Sequence, residues 1–227
     1  MNFYIRQGEK NEMKLYNDDD YCKVCFKKIM HKSFYDFMNK SVCLCEDCKS
    51  KISAKFHYFK VKGYKAMSIF DYDSELRKLI YQFKGCFDIE LFDVFLERYR
   101  KELKLLYKNY MLVPAPSFSE EDRVRGFNHV VKIFSSMGLE INRCIEKTDR
   151  FKQAEHNSSS RSEISKHLKL VNGEILFNKK ILIVDDVYST GSTMKAAIQL
   201  VEKLHPKSIK VLVMSKTNDD KYKKEED

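Results

Sequence analysis

No stretch of this sequence is apolar for the roughly eighteen residues that a membrane span needs, so no segment is expected to cross a bilayer. The opening residues, Met1 to Lys10, lack the apolar core of a signal peptide, which points to the cytoplasm. Glycine is scarce: the seven lie far apart, and none makes the G-x-G-x-x-G turn of a dinucleotide fold. Nor is there a G-x-x-x-x-G-K-S/T loop, which removes the nucleotide hydrolases built on one. No internal repeat is visible.

What is present is a globular composition, with 43% hydrophobic and 33% charged residues, too apolar for a disordered chain. The 227 residues allow one good-sized domain and a small appendage. Forty-two Lys and Arg against thirty-three Asp and Glu give a formal charge of +9. Such a surplus suits a polyanion: nucleic acid, an anionic membrane surface or a phosphate-rich small molecule. It equally suits lysines that only solvate the surface, because bulk charge names no partner.

Five of the seven cysteines fall between Cys22 and Cys48, leaving Cys86 and Cys144 alone. Without an export signal, such clustering reads as a metal site and not as a disulfide framework. Cys22 and Cys25 form one CxxC pair, Cys45 and Cys48 another, with nineteen residues between the pairs. Two residues between cysteines let a tight turn aim both sulfurs at one ion, and two such turns complete a tetrahedral site with no open position. A structural zinc is expected there. Cys43 competes with Cys45 for the role but lacks the two-residue turn, and His31 is a weaker rival still.

The chain divides into a loose arm (1–20), the zinc module (21–55), a main domain (56–220) and a charged tail (221–227). Alternation in Gly63–Tyr72 predicts a strand. Ser74 is a plausible N-cap for a helix whose inner face is Leu76, Leu79, Ile80 and Phe83. Asp88–Tyr107 reads as one longer amphipathic helix, and Tyr110–Val113 as a strand stopped by Pro114-Ala115-Pro116. Helix Phe127–Met137, strand Leu139–Ile145 and a polar loop Lys147–Arg161 follow. Strand Lys180–Val184, helix Thr193–Leu204 and strand Ser208–Met214 complete the pattern. Alternation of strand and helix predicts an α/β fold with a parallel sheet flanked by helices. Ligands of such sheets bind beyond the carboxyl ends of the strands.

The informative stretch runs from Ile181-Leu182-Ile183-Val184 through Asp185-Asp186 to Ser189-Thr190-Gly191-Ser192-Thr193. Four apolar residues make a buried strand that delivers two carboxylates to its end. Gly191 allows a tight turn into a helix N-terminus, where backbone N–H groups and hydroxyls cradle a phosphate. Carboxylates cannot hold phosphate, but they accept strong hydrogen bonds from sugar hydroxyls. The combination describes a site for a 5-phosphorylated ribose. A phosphorelay receiver also carries paired acids after a strand, but near its start, whereas here they follow most of the chain. Simple helix capping accounts for neither the acid pair nor the hydroxyl-rich turn.

This segment resembles the phosphoribosyl pyrophosphate (PRPP) signature of type I phosphoribosyltransferases. About Tyr21 to Thr217 resembles the ComF (ComFC) family of competence-associated phosphoribosyltransferase-like proteins. The pieces carrying that likeness are the paired CxxC, Phe70-Asp71-Tyr72, Phe83-Lys84-Gly85, Val113-Pro114-Ala115-Pro116, Arg123-Val124-Arg125-Gly126-Phe127-Asn128, then Gln153 and Arg161 in a polar loop. Ala115 and His129 stand where the family usually has Val and Gln.

The resemblance implies a type I phosphoribosyltransferase-like domain behind a small N-terminal four-cysteine zinc module. Asp185 and Asp186 would bind the ribose hydroxyls, and Ser189, Thr190, Gly191, Ser192 and Thr193 the 5-phosphate. Pro116–Gly126 would be the pyrophosphate loop, with Arg123, Arg125 and Gly126 at the ligand, and Lys147–Arg161 a lid carrying Arg161. If the protein is an enzyme, Asp185, Asp186, Arg125 and Arg161 would serve displacement of pyrophosphate from C1, assisted by Mg²⁺. A base-binding hood is minimal, which leaves the acceptor open. The likeness also implies a part in DNA uptake, with single-stranded DNA and competence proteins as partners. Lys55-Phe56-His57-Tyr58-Phe59-Lys60 would suit a strand-tracking surface, although a core strand bounded by lysines explains the same residues more simply. Salvage of nucleotides is the competing function, and control of nucleotide genes by PRPP lacks a recognition helix.

Overall fold

Three apolar runs set the architecture. In Met111–Val113, Ile181–Val184 and Val211–Met214 every side chain is buried, as in strands covered on both faces. A computed structural model describes residues 21–29, 43–147 and 168–217. In it these runs become β3 (Tyr110–Pro114), β6 (Lys180–Tyr188) and β7 (Ser208–Lys216). With β1 (His57–Val61) and β2 (Tyr64–Asp71) they form a five-stranded sheet in the order β1-β2-β7-β6-β3. Strand β1 runs antiparallel to β2; β2, β7, β6 and β3 are mutually parallel. Their carboxyl ends therefore share one edge.

Alternation sorts the sheet's side chains into two cores. Leu112, Leu182, Val184, Leu212 and Met214 face one cluster, and Met111, Val113, Ile181, Ile183, Val211 and Val213 the other. The second cluster is closed by a helix at Ser192–Glu202 and by a small antiparallel pair, β4 (Ile145–Lys147) with β5 (Leu168–Leu170). Over the first lie α1 (Glu46–Lys51), α2 (Ser74–Gly85), α3 (Phe92–Leu96), α4 (Arg100–Leu106) and α6 (His129–Ser135), while α5 (Ser119–Arg125), which buries no residue, comes between α4 and α6 in the chain. The Ser192–Glu202 helix is α7. Cys22, Cys43, Leu44 and Cys48 join the same cluster as Leu91, Phe95 and Leu96, so the cysteine module shares its core with the helices beside it.

Several local expectations change. The inner face of α2 is as expected, but its cap is Asp73, whose carboxylate accepts from the Leu76 N–H at 2.9 Å. The long helix over Asp88–Tyr107 is broken into a 3-10 turn at Ile89–Leu91, then α3 and α4, leaving Leu105 and Leu106 exposed. Leu139–Ile145 makes only an isolated bridge from Ile141 to Leu112; the strand begins at Ile145. The Lys55–Lys60 stretch is no core strand: β1 lies at the sheet edge with His57, Tyr58 and Lys60 exposed.

Candidate functional site

The shared carboxyl edge gathers the ends of β2, β3, β6 and β7. Strand β6 extends four residues past Val184, so the two aspartates lie within its ladder, Asp185 opposite Val213. Asp186 is 7% exposed. Its Oδ2 accepts from Lys84 Nζ at 3.0 Å and stands 3.2 Å from His129 Nε2, while Oδ1 accepts from the Val187 N–H at 2.7 Å. Burial works to raise the Asp186 pKa, but the His129 hydrogen bond and the Lys84 ammonium outweigh it and hold the carboxyl well below the usual range. Asp185 goes the other way: burial, then the Asp186 charge, push its pKa well up. The pair is thus one firmly ionised carboxylate beside one that resists ionising.

Arg125 turns inward, with 5% of its side chain exposed. Its Nε donates to the Lys84 carbonyl at 3.1 Å, and one terminal nitrogen stands 3.2 Å from both Asp122 Oδ1 and His129 Nδ1. Asn128 caps α6 at the Val131 N–H and ties Ser117 to Asp122 with bonds of 2.6 and 2.7 Å. The Pro116–Gly126 segment, expected as a loop, is therefore mostly helix α5, ending at Gly126 with φ +83°. Arg123 is exposed and has no ion pair among the described residues. Arg161 and Gln153 lie outside the described residues.

Beyond Asp186 the chain turns at Ser189-Thr190, both exposed, into α7. Gly191 sits at φ +71°, and a Cβ there would strike the Tyr188 ring and hydroxyl, so glycine is required twice over. Thr190 Oγ1 and Ser192 Oγ are 2.9 Å apart, and Ser192 and Thr193 are half-buried. The turn thus presents hydroxyls and the N-terminal N–H groups of a helix close behind the acid pair in the chain. Sequence reading brings Asp185, Asp186 and Ser189–Thr193 together, but it gives no role to Lys84 or His129. Lys84 belongs to the Phe83-Lys84-Gly85 motif, and its position one residue after the buried Phe83 is the available signal.

At the cysteine module, the sulfurs of Cys22, Cys25, Cys45 and Cys48 all lie within 4.8 Å of one another. Sulfurs about 2.3 Å from a tetrahedral ion stand about 3.8 Å apart, so the cluster fits a structural metal. Burial would raise the Cys22 pKa, but backbone N–H groups of Cys45, Cys25 and Val24 bring the thiol down to about 7. Cys43 points elsewhere: its Sγ meets Glu97 Oε2 at 3.2 Å and its N–H donates to Oε1 at 2.8 Å. Cys45, and not Cys43, stands in the cluster that could hold a metal.

The opposite edge of the sheet is basic and aromatic. Lys210 lies over the rings of Tyr110 and Tyr107 (5.1 and 5.7 Å), and Lys180 over Tyr110 (5.9 Å). Lys60, Lys65, Lys108, Lys179 and Lys207 are exposed. None of these seven lysines has an ion pair among the described residues.

Such a sheet, with its acid pair and phosphate-type turn on one edge, defines a phosphoribosyltransferase-like protein. Residues 76–227 match the phosphoribosyl transferase domain model, and the chain belongs to that family. It is 28% identical over 193 residues to "Competence protein ComFC" of Streptococcus pneumoniae (strain ATCC BAA-255 / R6), covering 76% of this chain and 87% of that protein. Among solved structures, a hypoxanthine phosphoribosyltransferase from Staphylococcus aureus is similar at 12% identity and TM-score 0.38, over 58% of this chain and 76% of that one. A phosphoribosylpyrophosphate synthetase from Mycobacterium smegmatis is similar at 18% identity and TM-score 0.31, over 50% and 32%. Both TM-scores lie below 0.5, and the fold rests on the strand order and the family match. No helix of the described residues is long and apolar enough to cross a membrane.

Proposed function

We propose that the chain binds PRPP at the carboxyl edge of its sheet, with Mg²⁺ carried on the ligand's oxygens, and that the four cysteines hold a structural zinc. The observation that supports the ligand is the acid pair at the end of β6, followed at once by the open, glycine-capped hydroxyl turn. Ribose hydroxyls donate to Asp185 and Asp186, and the 5-phosphate rests on Ser189–Thr193. Arg123 and Gly126 face the pyrophosphate. Arg125 acts there only on leaving Asp122 and His129, and in its present place it positions Lys84. Mg²⁺ would supply charge neutralisation on the pyrophosphate as it departs C1. Calorimetric titration with PRPP, with and without Mg²⁺, tests the site, and absence of binding in both titrations overturns it. Pyrophosphate-release assays over candidate acceptors then decide whether transfer occurs.

The ComFC relative and the lysines interleaved with Tyr58, Tyr107 and Tyr110, which have no ion pair among the described residues, favour a role in DNA uptake, with single-stranded DNA handled at the far edge of the sheet. On this reading a labelled oligonucleotide binds at low salt and is released steeply as salt rises. Loss of the gene impairs transformation more than nucleotide salvage. Robust base-dependent pyrophosphate release with no DNA binding at low salt makes the chain a salvage enzyme instead.

A further inference from the structure

One face of α2 is spent on the core, through Leu76, Leu79, Ile80 and Phe83. The opposite face carries Ser74, Arg77, Lys78 and Tyr81, at the three- and four-residue spacing that puts side chains in one row. Such a row is ordinarily just solvated. Here it lines a cleft of about 430 Å³ with Tyr72 and Asp73 from the loop after β2. Tyr72 and Asp73 follow the carboxyl end of β2, and Lys84, which meets Asp186 at 3.0 Å, lies three residues beyond Tyr81 on the same helix.

The lining has a definite chemistry. Tyr72 is half-buried against the core, which fixes one wall. Tyr81 is 69% exposed, and a Cβ on Gly85 would come within 3.0 Å of its ring, so the missing side chain leaves room for that ring on the helix surface. The same lining carries two cations, Arg77 and Lys78. Arg77 has no ion pair among the described residues, and Lys78 is paired only with the exposed Glu75, at 2.9 Å. The one acid in the lining, Asp73, is engaged in capping the Leu76 N–H. Phenol rings offer stacking to a flat base, and the cations offer contacts to a phosphate.

We propose that this cleft is a second ligand site, for a nucleobase that carries phosphate. The ligand chemistry is shared by a free nucleotide and by one unit of a single strand. The site itself does not depend on PRPP. Its use as an acceptor pocket, holding the base beside C1, rests on the PRPP reading above.

The test is calorimetric titration of the full-length protein with deoxyadenosine monophosphate and, separately, with a short oligothymidylate, both without PRPP. Binding of the mononucleotide alone assigns the site to free nucleotides, and oligomer binding that the cleft variants weaken, with little response to the monomer, assigns it to a strand; oligomer held only at the far edge would bind those variants unchanged. Tyr81→Ala and Arg77→Gln alter exposed groups, and each weakens binding about tenfold with melting temperature unchanged. Gly85→Ala, which crowds the Tyr81 ring, weakens it as well. PRPP titration of the same variants separates the two sites: the cleft variants keep PRPP affinity. If neither probe binds, or both bind the variants as tightly as the parent, the cleft is only a solvated helix face.

Discussion

Adjacent aspartates in one strand should respond to the same substitution with opposite signs. Asp186 is matched by Lys84 at 3.0 Å and His129 at 3.2 Å, whereas Asp185 has a raised pKa from burial and from the charge next to it. Two carboxylates taken as ~6 Å apart repel by ~3 kcal/mol at an effective dielectric of about 20, and protonation and Lys84 relieve part of this. Asp185→Asn keeps the shape and can still accept the Asp186 N–H, now at 2.9 Å. It should stabilise the free protein by ~1–2 kcal/mol, or about 2–8 °C in melting temperature for a chain of this size. The acid's raised pKa sets the pH dependence. Its contribution to stability is fully present below the ordinary carboxylate pKa of about 4 and is lost as pH rises through the folded value. The gain from Asp185→Asn should therefore vanish below about pH 4 and grow above it. Asp186→Asn strands Lys84 and a buried His129, and should cost ~1–3 kcal/mol, the lower end reflecting the part-exposed Lys84. That loss should fade as pH falls through the depressed pKa of Asp186. The double variant should melt near the parent while losing more than tenfold in PRPP affinity, at ~1.5–3 kcal/mol per charge-assisted bond. Differential scanning fluorimetry across pH, paired with PRPP calorimetry, makes the comparison. A destabilised Asp185→Asn protein at neutral pH would refute the electrostatic account, and undiminished PRPP binding in the double variant would move the pocket elsewhere.

Purified protein should carry about one zinc per chain by elemental analysis, lost in Cys45→Ser and kept in Cys43→Ser, whose parent thiol faces Glu97. Because the cysteine module shares a core with Leu91 and Phe95, chelation should lower the main unfolding transition and not melt a separate module. Gly191→Ala should cost at least ~1 kcal/mol from the positive φ alone, more from the collision with Tyr188, and should weaken PRPP binding. Exchanging Lys180 and Lys210 for Gln should flatten the salt dependence of oligonucleotide binding, with a slope change of about 0.7 for each phosphate that is no longer neutralised; an unaltered slope places the DNA elsewhere.

Strands β3, β6 and β7 were legible because they are continuous apolar runs, which admit few alternatives once bounded by turns, whereas the exposed edge strand β1 carries no such signal. The hydroxyl turn was legible for a similar reason, since it is a local motif whose glycine answers to local backbone geometry. Asp88–Tyr107 misleads because its apolar spacing fits one helix, while only tertiary packing decides that the chain breaks after Leu96. Leu106, an inner-face residue on that spacing, is 55% exposed. Ser74 and Asp73 are both good caps, and a one-residue choice between them is beyond pattern reading.

The charge arrangement of the site was illegible for a different reason. Lys84 meets Asp186 across 102 residues of chain, and Arg125 bonds the Lys84 carbonyl across 41. No spacing rule spans such distances; the sheet order does, by setting α2, α5 and the end of β6 side by side. Motif reading assigns both aspartates one role and aims Arg125 outward at a ligand. Tertiary contacts divide those tasks: Asp186 is neutralised from within, Asp185 carries the larger electrostatic cost, only partly relieved by Lys84, and Arg125 holds the neutralising lysine. The proposed ligand, with its hydroxyl donors and Mg²⁺, would relieve that cost on binding. On the PRPP reading proposed above, the strain in the free protein and the ligand's affinity would have one origin, and Asp185→Asn should remove both together.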